Sequence, residues 1–140
     1  MLTRITLVLL VAVTPLAAQT NGSSERPATG TYTDAQATLG EKAYQMYCAS
    51  CHATSFHTDQ QFRANWFGRT VYDLFKTLKT TMPDDNVGGL TDDEYTRVIA
   101  YILKLNGFSA GTDSLKADTL EMKRIRIAAA TPDTTKHNRN

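Results

Sequence analysis

The chain has 140 residues, 41% of them apolar, with 15 basic against 14 acidic side chains and a formal net charge of +1. No long basic run stands out of that balance, which excludes nucleic acid as a partner, because such binding needs a clustered positive field. One domain is expected at this length, and it is large enough to bury a core.

Residues 1–18 carry one basic residue, Arg4, then an apolar run from Ile5 to Val13 broken only by Thr6, then the small residues Ala17 and Ala18. This is the layout of a signal peptide, so a periplasmic or secreted location is expected after its removal. The apolar run falls short of the about 20 residues a spanning helix needs, and no cysteine near the cut offers a lipid site, so no stable membrane anchor is expected. Residues 19–33 (QTNGSSERPATGTYT) are polar, without apolar period, and read as a flexible leader.

From Asp34, an expected N-cap, the pattern turns helical. Leu39, Ala43, Met46 and Tyr47 fall at helical steps and carry a first helix from about Ala35 into the cysteine motif. Phe56 to Phe67 is aromatic but aperiodic. Thr70 can cap a second helix, Val71 to about Lys79, with Val71, Leu74, Phe75 and Leu78 on one face. Thr81 to Gly89 combines Pro, Gly, Asp and Asn and reads as a loop. Thr91 and Glu94 form a T-x-x-E capping box for a last helix whose stripe is Tyr95, Val98, Ile99, Ile102 and Leu103, stopped by Asn106-Gly107. Residues 109–130 are less regular, with a weak apolar set at Leu115, Leu120, Ile125 and Ile127, and read as an extension packed on the domain. Residues 131–140 are polar and read as a disordered tail. The expected fold is all-α, one domain over residues 34–108, with no repeat, no strand pair and no second domain.

Chemistry concentrates in YCASCH, residues 47–52, which holds the only two cysteines of the chain. Covalent haem attachment needs two thiols to add across the two vinyl groups and a nitrogen ligand beneath the iron. The spacing Cys48-x-x-Cys51-His52 supplies all three. Shuffling a chain with two Cys and three His would produce this order roughly three times in ten thousand, so the motif is specific. Three other readings compete. A Cys48–Cys51 disulfide would close too short a loop to remove much unfolded-state entropy. A thioredoxin-type dithiol expects a βαβ setting, whereas these surroundings are helical. A zinc site would have to crowd Cys48, Cys51, His52 and His57 together, with no second pair elsewhere.

An electron-transfer haem wants a sixth ligand, and a thioether favours the ferrous state. Met1 leaves with the signal, Met46 is too near Cys48 to reach the opposite face, and Met122 reads as a packing residue. Met82 stands in the loop between two helices, with Pro83 stiffening its backbone. His57 and His137 are weaker candidates, one too near His52 and the other in the tail.

Gly40-x-x-x-Tyr44-x-x-x-Cys48-Ala-Ser-Cys51-His52 resembles the first helix and haem motif of class I c-type cytochromes of the bacterial exported kind. Ala100-Tyr101-Ile102-Leu103 resembles their last helix, and Thr81-Met82-Pro83 their methionine loop. The resemblance spans about Asp34 to Phe108 and implies a small cytochrome c fold, three to five helices around a covalently attached haem. It implies one haem c held by Cys48 and Cys51, His52 as proximal and Met82 as distal iron ligand, Gly40 at a close helix crossing with Tyr44 and Tyr101, and Phe62, Trp66, Phe67 and Phe75 walling the haem. Two positions depart from the pattern: Ala53 stands where many members have Gly, and no proline between His52 and Met82 supplies a carbonyl to the proximal imidazole. The stretch from Met82 to Phe108 is also similar to cytochrome modules that accompany periplasmic dehydrogenases. The implied function is one-electron transfer without substrate turnover, between a periplasmic dehydrogenase or respiratory donor and an acceptor. Two alternatives stay open: a haem protein with a free sixth site, peroxidase-like or gas binding, and a small exported thiol-disulfide protein without haem.

Overall fold

A computed structural model describes residues 25–128. The signal reading of 1–18, the first part of the leader and the tail lie outside the described residues. The elements in chain order are β1 (Arg26–Pro27), α1 (Asp34–Tyr47), a 3-10 turn (Thr54–His57), α2 (Gln60–Trp66), α3 (Val71–Thr81), α4 (Asp92–Leu105), α5 (Thr119–Arg124) and β2 (Ile125–Arg126). Five helices and little sheet make the fold all-α, as the periodicity predicts.

Helices α1 and α4 cross as the central pair. At Gly40 a Cβ would overlap the main-chain carbonyl oxygen of Arg97 and stand 3.1 Å from the Tyr101 Cβ, so only a glycine admits this approach. The close contact fixes which face of α1 is buried: Gln36, Ala37, Gly40 and Tyr44. The stripe read from apolar spacing is therefore rotated, and Leu39 and Met46 are exposed. Helix α1 is also capped by Thr33, whose hydroxyl accepts from the Gln36 N–H, rather than by Asp34, which is the first helical residue.

The other helices follow their start signals. Thr70 and Asp73 form a reciprocal capping box on α3, and Thr91 and Glu94 form one on α4. Each satisfies two of the free N–H groups at a helix start. Tyr95, Val98, Ile99, Ile102 and Leu103 are all buried, and α4 ends at Asn106 with Gly107 at φ +81°. Helix α2 is an element that the aperiodic 56–67 stretch conceals; Asp59 caps it, its carboxylate accepting from the Phe62 N–H at 2.6 Å.

The chain flanking the helices is also packed. Ala28, Thr31 and Tyr32 are buried, so the described part of the leader, from residue 25, is folded rather than flexible. Strand β1 pairs in parallel with β2, a strand pair that the sequence reading did not expect. Two residues per strand are too few to show a period, and the pairing joins segments about a hundred residues apart. Just past β2, Ile127 is held by two main-chain bonds, its carbonyl accepting from the Gly68 N–H at 2.8 Å and its N–H donating to the Arg69 carbonyl at 2.9 Å. Leu115, Met122, Ile125 and Ile127 are buried, while Leu120 is exposed. The Gln36 side chain grips this segment, donating to the Leu115 carbonyl and accepting from the Leu115 N–H, both at 2.8 Å.

Candidate haem site

The cysteine motif leaves the end of α1 as one further tight turn. Cys48 is the C-cap, and its carbonyl accepts from the N–H groups of both Cys51, at 3.1 Å, and His52, at 2.9 Å. Those two bonds hold Cys48, Cys51 and His52 within a single turn of backbone. Both thiols are free, Cys48 half-buried and Cys51 exposed. Burial pushes the Cys48 thiol above its usual pKa.

Two buried tyrosines reach the main chain of the candidate ligands. The Tyr44 hydroxyl donates to the His52 carbonyl at 2.7 Å, fixing the backbone that carries the imidazole. Burial first, and the neighbouring Cys48 and Tyr101 next, raise the Tyr44 pKa to about 12, so this donor keeps its proton. On the far side, the Tyr95 hydroxyl donates to the Met82 carbonyl at 2.7 Å. Sequence reading took both tyrosines as packing residues. The available signal was a phenol placed among apolar helix positions, where a buried hydroxyl needs a partner.

Met82 caps the C-terminus of α3, and its N–H donates to the Leu78 carbonyl at 2.8 Å. Its side chain and Cys48 line one cleft together with Leu78, Pro83, Leu90, Tyr95 and Val98. This cleft brings Cys48 and Met82 together across more than thirty residues of chain. A second, open depression along α1, lined by Thr38, Glu41, Lys42, Gln45 and Met46, offers neither thiol nor imidazole.

The His52 ring has Phe56 at 5.1 Å and His57 at 6.0 Å between centroids. His57 is buried edge-on among Tyr44, Phe56 and Phe62, and its Nδ1 has no hydrogen-bond partner. Burial, and secondarily His52, lower its pKa to about 4 against a smaller opposing pull from Asp59, so it packs as a neutral ring. Its carbonyl accepts from the Asn106 side-chain amide at 2.8 Å, which ties the 3-10 turn to the end of α4.

Residues 35–102 match the family model described as cytochrome C oxidase, cbb3-type, subunit III. The match covers just under half of the chain and supports a c-type cytochrome. No curated protein and no solved structure matches the chain. A domain of this kind carries covalently attached haem c and serves electron transfer.

The residues present fit that group. Two free thiols share one helical turn, an imidazole follows directly, and a thioether lies on the same apolar cleft as the first thiol. The zinc reading does not hold, because no group of three His, Cys, Asp or Glu that could bind a metal occurs among the described residues. None of Phe62, Trp66, Phe67 and Phe75, the aromatics expected around the haem, lines this small cleft. They are engaged elsewhere, Phe62 against His57 and Trp66, Phe67 against Phe108, and Phe75 against Tyr95. The cleft's own lining is mainly aliphatic, with Tyr95 as its aromatic member. Met122, read as a packing residue, is fully buried in the core.

Proposed function

We propose that this chain is a monohaem electron-transfer protein of the bacterial periplasm, in which Cys48 and Cys51 form the thioethers, His52 is the proximal ligand and Met82 the distal ligand. The observation that supports the reading is the apolar cleft lined by both Met82 and Cys48, the first thiol of the attachment motif. The bound haem supplies the one-electron iron couple. The chain's own residues do the rest. Leu78, Leu90 and Val98 exclude water from the site and lower its local dielectric. Tyr44 orients the His52 main chain, and the Met82 thioether favours the reduced state.

The functional unit is residues 34–108, with residues 109–130 an extension on it and residues 1–18 an export signal. No substrate is turned over; donor and acceptor are redox proteins. A periplasmic dehydrogenase or a respiratory complex fits that role, and the matching family model, described as an oxidase subunit, supports the respiratory side.

The test is protein exported through cytochrome c maturation machinery. One haem per chain by pyridine haemochrome assay and intact mass is expected, lost in the C48A/C51A double variant. Met82→Ala should replace a low-spin His/Met spectrum by one that binds carbon monoxide readily. A spectrum and potential unchanged in that variant remove Met82 from the ligand set.

A further inference from the structure

We infer that Tyr95 is a positioning residue for Met82, its hydroxyl holding the Met82 main chain so that the thioether stays on the cleft; this rests on Met82 being the distal ligand. Met82 ends α3 in an extended conformation, φ −132° and ψ 153°, so its carbonyl turns away from the helix and needs a partner outside it. Tyr95 supplies that partner from the first turn of α4, across 13 residues of chain, at 2.7 Å.

The phenol is fixed in place. Tyr95 is 2% exposed, and its ring packs edge-on against Phe75 of α3 at 6.1 Å. The loop that follows Met82 has turns of its own, Asn86 N–H to the Pro83 carbonyl at 3.0 Å and Gly89 N–H to the Asn86 carbonyl at 2.9 Å. Those bonds shape the loop without joining it to α4. The Lys79–Asp92 ion pair also bridges α3 to α4, but both side chains are solvent-exposed, and such pairs contribute little. The Tyr95 hydroxyl is therefore the buried tie between the methionine and the helix that backs the site. Any apolar residue could fill this stripe position; a tyrosine there is explained by the bond its oxygen makes.

Tyr95→Phe removes the oxygen and keeps the ring, so the Phe75 contact and the fold survive. Losing one hydrogen bond of ordinary strength should raise the fraction of reduced holoprotein with a displaced thioether roughly five- to tenfold. The readouts are carbon monoxide binding to the reduced protein, a lowered reduction potential, and faster amide exchange across residues 84–90. Tyr32→Phe removes another buried hydroxyl, one that donates to the Phe108 carbonyl away from the cleft, and should leave carbon monoxide binding as in the unaltered protein. Met82→Ala defines the fully open limit. If Met82→Ala opens the site and Tyr95→Phe does not, the positioning role is wrong. If Tyr32→Phe opens the site as much as Tyr95→Phe, the effect is general loosening, and the role is again wrong. If Met82→Ala itself binds no more carbon monoxide than the unaltered protein, the ligand assignment fails and takes the positioning role with it.

Discussion

Gly40 of α1 lies directly against the main-chain carbonyl of Arg97 in α4, with no room between them for a Cβ. Replacing Gly by Ala within a helix normally stabilises it by about 1 kcal/mol. Here the added carbon meets backbone, which cannot rotate aside, so the overpacking cost of about 1–3 kcal/mol, or more, should win. Gly40→Ala is expected to lower the unfolding midpoint in urea; an unchanged or raised midpoint would show that the helices separate at no cost.

Gln36 makes two main-chain hydrogen bonds to Leu115, both buried. Gln36→Leu would strand the N–H and the carbonyl of Leu115, each costing about 1–3 kcal/mol if left unpaired. The segment from Leu115 to Ile127 should then loosen first. Limited proteolysis is expected to cut this variant between residues 109 and 124 faster than the unaltered protein, and equal resistance would contradict the latch.

Tyr44→Phe removes the hydroxyl donated to the His52 carbonyl while leaving the ring packed against Tyr101 at 5.5 Å. The expected loss is about 1 kcal/mol of stability. Equilibrium unfolding of the holoprotein should detect it, and no loss would mean that water replaces the tyrosine freely.

Glu94 is held below the usual carboxylate range, first by the Thr91 N–H and then by the Thr91 hydroxyl, with Tyr47 and Arg97 adding to a pull that slight burial opposes. Because the folded value is the lower one, this contribution is complete above the unfolded carboxylate pKa and is lost as pH falls through the folded one. Glu94→Gln should flatten the acid side of the stability profile around pH 4, where an unperturbed glutamate titrates. A profile that keeps its slope in the variant would assign that slope to other carboxylates.

The attachment motif was legible because it is local: two thiols and an imidazole within five residues state their chemistry without any fold. The capping boxes of α3 and α4, the buried stripe of α4 and the loop at Met82 were legible for the same reason, since each depends on neighbours a few positions apart. The buried face of α1 was not legible from its apolar spacing. Gly40, a residue with no side chain, decides it through a contact with Arg97 far along the chain.

The sequence by itself thus determined the helical class and named the proposed attachment motif, both through short-range spacing. Only the tertiary structure decided what supports Met82 and His52, because the tyrosine oxygens find their carbonyls through long-range packing. It also folded part of the leader against the extension, closing a strand pair between segments too short and too distant to announce each other.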